Sequence, residues 1–232
     1  MKRLFMLIVI LFATTLFASA ASLETDYITP SFTFSPDHRY GVMIPVFHME
    51  AAETQEPDNR MNKVIDLHTK RVITVIRSEP GYDRALNHHE TVPPLWSRDS
   101  STLLWKVDGK WFFDALVLVK IQNDKELWQI DLMKESQRAI LARTRDASPK
   151  QYAAAKQENV GNGSAYPEGF TVFVTTDEKQ IEFPYHVEVD LTADPKEIEG
   201  FPAKLESHMN AIVTEEGKYI VTEFKLGKRK RT

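Results

Sequence analysis

The chain alternates between short stretches rich in apolar and β-branched residues and clusters of Pro, Gly, Asn, Asp and Ser, a rhythm that predicts strands joined by turns. Residues 31–47 read as strand, turn, strand, with Ser35-Pro36-Asp37-His38-Arg39 as the turn. Proline presets φ there, and Ser and Asp side chains bond nearby amides. Residues 63–67 and 71–77 read as two more strands, joined tightly by His68-Thr69-Lys70. Residues 51–59 and 78–94 read as loops. A second stretch follows the same plan. Leu95-Trp96-Ser97-Arg98-Asp99 leads into a strand over 102–107, and Asp108-Gly109 is a hairpin signal because type I′ turns need φ > 0. A strand over 110–121 follows, and Asn123-Asp124 turns the chain into 126–132, completing a three-stranded meander. Within it, Ala115-Leu116-Val117-Leu118-Val119 is apolar without alternation, which predicts a strand covered on both faces.

The pattern then changes. Residues 134–145 carry little β-branching and predict a helix. Ser148-Pro149-Lys150-Gln151 supplies an N-cap, a proline at the first helical position and a glutamine three after the cap, so a second helix starts there and Gly161 stops it. Strands return at 170–175, 180–191, 209–214 and 218–225, the second holding Pro184 and so expected to be irregular or at an edge. Residues 192–202 read as a loop with a helical turn. The fold class is mainly β (α+β): antiparallel meanders with a helical insert near 134–160.

Two segments echo each other. Ser35-Pro36-Asp37 lines up with Ser97-Arg98-Asp99, and Ile65-Asp66-Leu67 with Ile130-Asp131-Leu132. A third partial copy lies at 214–221. At these residues the chain resembles blades of TolB-type (PD40-like) β-propellers, which place a Ser-Pro-Asp-Gly-like turn before a strand and often read hydrophobic-Asp-Leu before a Thr-Gly turn. The stretch here is Asp66-Leu67-His68-Thr69-Lys70. The resemblance covers residues 31–132 and implies blade-like antiparallel meanders. The spacing exceeds the roughly 40–45 residues usual for a blade, and two or three copies do not close a ring.

The amino terminus adds an address. Lys2 and Arg3 precede an apolar run over 4–17, and Ala18-Ser19-Ala20 offers small residues for cleavage. That order is the signature of a secretory signal peptide. The expected mature chain is then one mainly β domain over 21–225 with a basic tail at 226–232, located in the periplasm or secreted. No later apolar stretch is long enough to span a bilayer, which takes about 20 residues. Hydrophobic residues make up 42% and charged residues 27%, ordinary for a globular chain able to bury a core. Cysteine is absent, which excludes disulfides, a thiolate nucleophile and Cys-based metal sites. Formal charge is −4, or −6 without Lys2 and Arg3, and Lys225, Lys228, Arg229, Lys230 and Arg231 crowd the end. An acidic body argues against nucleic-acid binding, which needs a basic face.

Candidate chemistry is sparse. His48 with Glu50, His88 with Glu90 and His186 with Glu188 recur two apart, a spacing that puts both side chains on one face of a strand and lets each pair offer two ligands to one divalent metal. His88, His89 and Glu90 form the densest cluster. Trp96, Trp105, Trp111 and Trp128 lie close in sequence and suit either core packing or a platform for an envelope glycan. Lys228, Arg229, Lys230 and Arg231 suit an anionic surface or a solvated tip. Tyr152-Ala153-Ala154-Ala155-Lys156 has the spacing of a short-chain dehydrogenase pair, but no G-x-G-x-x-G follows a strand, so it reads as a helix with an aromatic foothold. Gly161-Asn162-Gly163-Ser164-Ala165 lacks the glycines of a nucleophile elbow. The expectation is a non-catalytic binding or scaffold module of the bacterial envelope, its partner a glycan or another envelope protein. The rival is a metal-assisted envelope hydrolase built on His88, His89 and Glu90.

Overall fold

A computed structural model describes residues 27–45, 61–77, 93–108, 113–161, 167–193 and 205–230. The expected leader, the loop at 51–59 and most of 78–94 lie outside them. Among the described residues, twelve strands form three antiparallel four-stranded sheets. The first holds β1 (Tyr27–Ile28), β2 (Tyr40–Pro45), β3 (Lys63–Asp66) and β4 (Val72–Val75) in chain order. The second repeats that order with β5 (Leu95–Trp96), β6 (Thr102–Asp108), β7 (Phe113–Gln122) and β8 (Lys125–Asp131). Helices α1 (Leu132–Ala147) and α2 (Pro149–Gly161) follow. The third sheet runs in the order β12 (Tyr219–Leu226), β11 (Leu205–Val213), β10 (Tyr185–Ala193), β9 (Thr171–Thr176). The chain is mainly β with a helical insert. The described sheets stay separate and form no closed ring.

The second sheet is the centre of the molecule, and β7 explains why. Ala115, Val117, Val119 and Ile121 face one way and pack with Tyr40, Val42, Ile44, Val64, Leu103 and Trp105 between the first two sheets. Leu116 and Leu118 face the other way, with Leu104, and join the core formed by α1 and the third sheet. Each residue from Ala115 to Val119 is at most 3% exposed, so the unbroken apolar run is the mark of two covered faces. Sheet three alternates instead. Tyr185, Val187, Val189, Leu191 and Ala193 are buried while His186 and Glu188 between them face water.

Helix α1 lies between the second and third sheets and contacts strands of both. Asp131 caps it, accepting from the N–H groups of Met133 and Lys134 at 3.0 and 3.2 Å. The sequence pattern places its start two residues later, because Leu132 reads as the end of the preceding strand. Ile140 is fully buried, and two buried hydroxyls of the helix find partners on the third sheet, Thr144 while also donating to the Ile140 carbonyl at 2.7 Å. Ser136 bonds the Tyr219 hydroxyl at 2.8 Å and Thr144 bonds Ser207 at 2.6 Å. Ser148 joins the helices as expected, its hydroxyl donating to the Gln151 side chain and its carbonyl accepting from the N–H of Tyr152.

Three expected strands differ, one of them because β11 begins at Leu205 where the sequence pattern places its start at 209. Residues 31–33 form a short 3-10 turn, so the first partner of β2 is β1 further upstream. The strand expected over 180–191 begins only at Tyr185, after Pro184, and β10 is interior, pairing with both β9 and β11. Proline stays outside the ladder and leaves no hydrogen bond unmade.

The internal echo has a structural meaning at one place and a local one at another. Ser35 and Ser97 do the same work before β2 and β6. Each hydroxyl donates to the Asp two residues on at 2.6 Å and accepts from the N–H five residues on at 2.9 Å. His38 and Ser100 take matching left-handed conformations, with φ of 58° and 60°. The Ile-Asp-Leu pair is not equivalent in topology. Asp66 ends the third strand of its sheet and Asp131 the fourth. What they share is chemistry: each carboxylate caps the amides two and three residues on. The partial copy at 214–221 is the hairpin turn between β11 and β12 together with the start of β12.

Candidate functional site

The turn that opens the second sheet also walls a cleft. Ser97-Arg98-Asp99 is locked because the N–H of Ser97 donates to the carbonyl of Thr102 at 2.8 Å, while the Thr102 N–H returns to Ser97 Oγ. Asp99 gathers further donors: Ser101 Oγ at 2.7 Å and the Ser101 N–H at 3.2 Å. Opposite stand the segment 179–183 before β10 and Glu215 in the β11–β12 turn. Together they enclose about 420 Å³, lined by Asp99, Ser101, Lys120, Lys179, Glu182 and Phe183 among others. That volume lies at the lower end of the range for small-molecule sites, roughly 300–1,000 Å³.

Lys120 is the pivot. It sits on β7 and is directed toward the third sheet by strand alternation, since Leu116 and Leu118 face that way. Its Nζ donates to Ser101 Oγ at 3.0 Å, stands 3.9 Å from the Glu215 carboxylate and lies 5.3 Å from the centre of the Phe183 ring. Its side chain is 13% exposed. Burial opposes ionisation of Asp99, but hydrogen bonds from Ser97 and Ser101, with the charge of Lys120, outweigh it and bring the carboxyl down to about 2. A carboxylate so acidic is a poor proton acceptor at neutral pH. It holds Ser101 by accepting its hydroxyl, so this constellation presents fixed charges and hydrogen bonds, not a nucleophile with its base.

Trp128 braces the back of the cleft. Its ring meets Phe183 edge-on at 5.9 Å between centres, and its Nε1–H donates to the Glu215 carbonyl at 2.9 Å. Gly217 lies against the indole: a Cβ there would fall 2.6 Å from Trp128 Cγ, and its φ is 77°. Both facts require glycine at that position.

The three described tryptophans do not form one platform. Trp96 and Trp105 face the first sheet and are 9% and 1% exposed. Trp96 stacks on Tyr40, gives its N–H to the Thr33 carbonyl at 3.0 Å, and reaches the cleft only as part of its wall. Trp128 pairs with Lys120 and lies on the opposite face of the sheet. Alternation along the strands, invisible in the spacing alone, separates them. Trp111, like His88, His89 and Glu90, lies outside the described residues, as do His48 and Glu50. His186 and Glu188 sit on the outer face of the third sheet, and among the described residues no three His, Asp or Glu side chains gather as metal ligands.

The basic tail is not a uniform tip. Lys228 and Lys230 are exposed, but Arg229 turns inward, its side chain 16% exposed and its Nε bonded to Asp190 at 3.0 Å. Its charge is directed at the protein, so it cannot serve an anionic surface in this arrangement. Arg231 lies outside the described residues. Tyr152 and Lys156 both bond one carboxylate, Glu168, at 2.7 and 2.9 Å. Burial and that carboxylate push the Tyr152 phenol far up, the reverse of what a dehydrogenase needs. Its ring stacks on Phe170, 4.6 Å between centres, which makes it the aromatic foothold of α2.

Lys120, Lys179, Glu182, Phe183 and Glu215 escape sequence reading because they sit on three separate segments with no shared motif. The chain matches no protein-family model and no curated protein sequence.

Proposed function

We propose that this chain is a non-catalytic binding module of the bacterial envelope, exported by its leader, whose cleft around Lys120 takes a polar ligand such as an envelope glycan. The observation that supports this reading most is the held ammonium of Lys120, fixed between Ser101, Glu215 and Phe183 in the lining of a ligand-sized cleft. Groups fixed before binding cost little ordering on association. Lysines and carboxylates around an aromatic ring also suit a hydroxyl-rich ligand.

The test is calorimetric titration of the protein from Ala21 onward with defined peptidoglycan and polysaccharide fragments. Saturable binding, weakened about tenfold or more by Lys179→Ala with Glu182→Gln, is the expected result; each change removes one polar partner of the ligand, worth about 1 kcal/mol. Both residues are exposed, so the fold tolerates the change. Zinc-dependent cleavage of a fragment, abolished by His88→Ala and His89→Ala, would replace this reading with hydrolysis.

A further inference from the structure

The outer face of the third sheet holds a receptor already filled by the chain's own end. After β12 the backbone turns at Gly227, φ 91°, whose N–H donates to the Glu206 carbonyl at 2.7 Å. The Gly227 carbonyl lies 2.8 Å from His208 Nδ1. This turn lays Arg229 across β10 and β11. Its Nε donates to Asp190 Oδ1 at 3.0 Å, and its Nη1 to Asn210 Oδ1 at 2.7 Å with Glu188 Oε2 at 3.6 Å. Its Nη2 donates to the Met209 carbonyl at 2.8 Å and is 3.4 Å from that of Val189.

The strand register builds this receptor. Asp190 stands opposite His208, Val189 opposite Met209, and Glu188 opposite Asn210. Acceptors from two strands thus converge on one guanidinium. A planar fork of donors satisfies them together, and the compact ammonium of lysine does not. Beside the receptor runs an open groove of about 820 Å³, lined by Phe173, Thr175, Thr192, Glu206 and Lys228 as well as Asp190 and Arg229.

We propose that this face docks an arginine-bearing, extended segment of a partner protein, and that Arg229 is the built-in competitor for the same receptor. Charge complementarity sets the partner's sign. Lifting the tail removes Lys228, Arg229 and Lys230 and leaves Glu188, Asp190, Glu206 and Glu223 on the face, with His186, His208 and Lys225 as its remaining nitrogen bases. An incoming arginine regains every hydrogen bond that Arg229 surrenders, and the groove accommodates the residues flanking it. A short tether keeps Arg229 at an effective concentration of order millimolar. The partner therefore meets a site mostly closed to weak ligands, which gives the tail a gating role.

The probe is the acetylated peptide Leu-Gly-Lys-Arg-Lys-Arg-Thr, the chain's own last seven residues, titrated by fluorescence anisotropy. Arg229→Ala is expected to bind it about tenfold more tightly than the unaltered protein, the gain that loss of an internal competitor at about 1 mM gives for a dissociation constant of about 0.1 mM. Adding Asp190→Asn is expected to abolish that gain, and a peptide with both arginines changed to lysine to bind at least tenfold less well. The proposal is overturned if Arg229→Ala, folded by circular dichroism, fails to bind, if Asp190→Asn makes no difference, or if the lysine peptide binds equally. Should Arg229→Ala not fold, Arg229→Lys replaces it, and absence of any gain in peptide binding then overturns the proposal. A dimer of Arg229→Ala with unaltered protein in light scattering would assign the site to the tail of a second copy and overturn the heterologous partner.

Discussion

The main-chain N–H of Asp37 donates to the hydroxyl of Ser100 at 3.2 Å, so the turn that opens β2 is bonded to its counterpart that opens β6. Ser100 is 1% exposed and left-handed, and its hydroxyl also supports the Asp37 carboxylate, helping, against burial and with the Ser35 hydroxyl, to hold it below the usual carboxylate range. The two repeated turns therefore do more than begin strands. They fasten the first sheet to the second at the same end where Trp96 reaches across to the Thr33 carbonyl.

Ser97→Ala removes the hydroxyl that accepts from Thr102 and donates to Asp99, leaving a buried N–H without its partner. The expected loss is about 1–3 kcal/mol by urea denaturation. Asp99 links this turn to pH. Its folded pKa, about 2, lies below the ordinary 3.8, so the ionised form stabilises the fold above pH 4 and that contribution fades as pH falls toward 2. Asp99→Asn should therefore be less stable than the unaltered protein at pH 7, with the gap closing by about pH 2. A gap independent of pH would sink the assignment.

Gly217→Ala should destabilise by about 2–3 kcal/mol, because it combines a left-handed backbone with a Cβ driven into Trp128. Tryptophan emission should shift as the indole moves away from Phe183. A variant with unchanged melting temperature and emission would show that the β11–β12 turn does not brace the cleft.

Leu118→Ala opens the core shared by the second sheet, α1 and the third sheet, and should cost about 2–5 kcal/mol. Leu103→Ala should cost a similar amount, about 2–5 kcal/mol, in the core between the first two sheets. Since β7 serves both cores, each variant should still unfold in one transition across all three sheets. Hydrogen exchange that shows the third sheet opening alone in Leu118→Ala would refute that coupling.

Much of this was legible along the chain for identifiable reasons. Hairpins at 68–70, 123–124 and 216–217 announce themselves through local turn chemistry, and Ser148-Pro149 fixes the helix junction because capping is local. The unbroken run from Ala115 to Val119 signals a doubly covered strand because no exposed face demands polar residues. Failures came where context overrode a local signal. Residues 31–33 read as strand, and their sequence gives no sign that β1 occupies that edge. Leu132 reads as strand because the Asp131 cap looks like the end of the Ile-Asp-Leu echo.

The order and type of most elements, the repeated Ser-x-Asp turns and the sidedness of β7 are properties of the sequence, since each depends on residues within a turn or strand of one another. The cleft, the receptor and the division of the tryptophans belong to the tertiary structure. Lys120 meets Ser101, Phe183 and Glu215, and Arg229 meets Asp190 and Asn210, only once sheets are registered and stacked. Register and alternation decide which face a side chain takes, and a slip of one residue in pairing would reverse it.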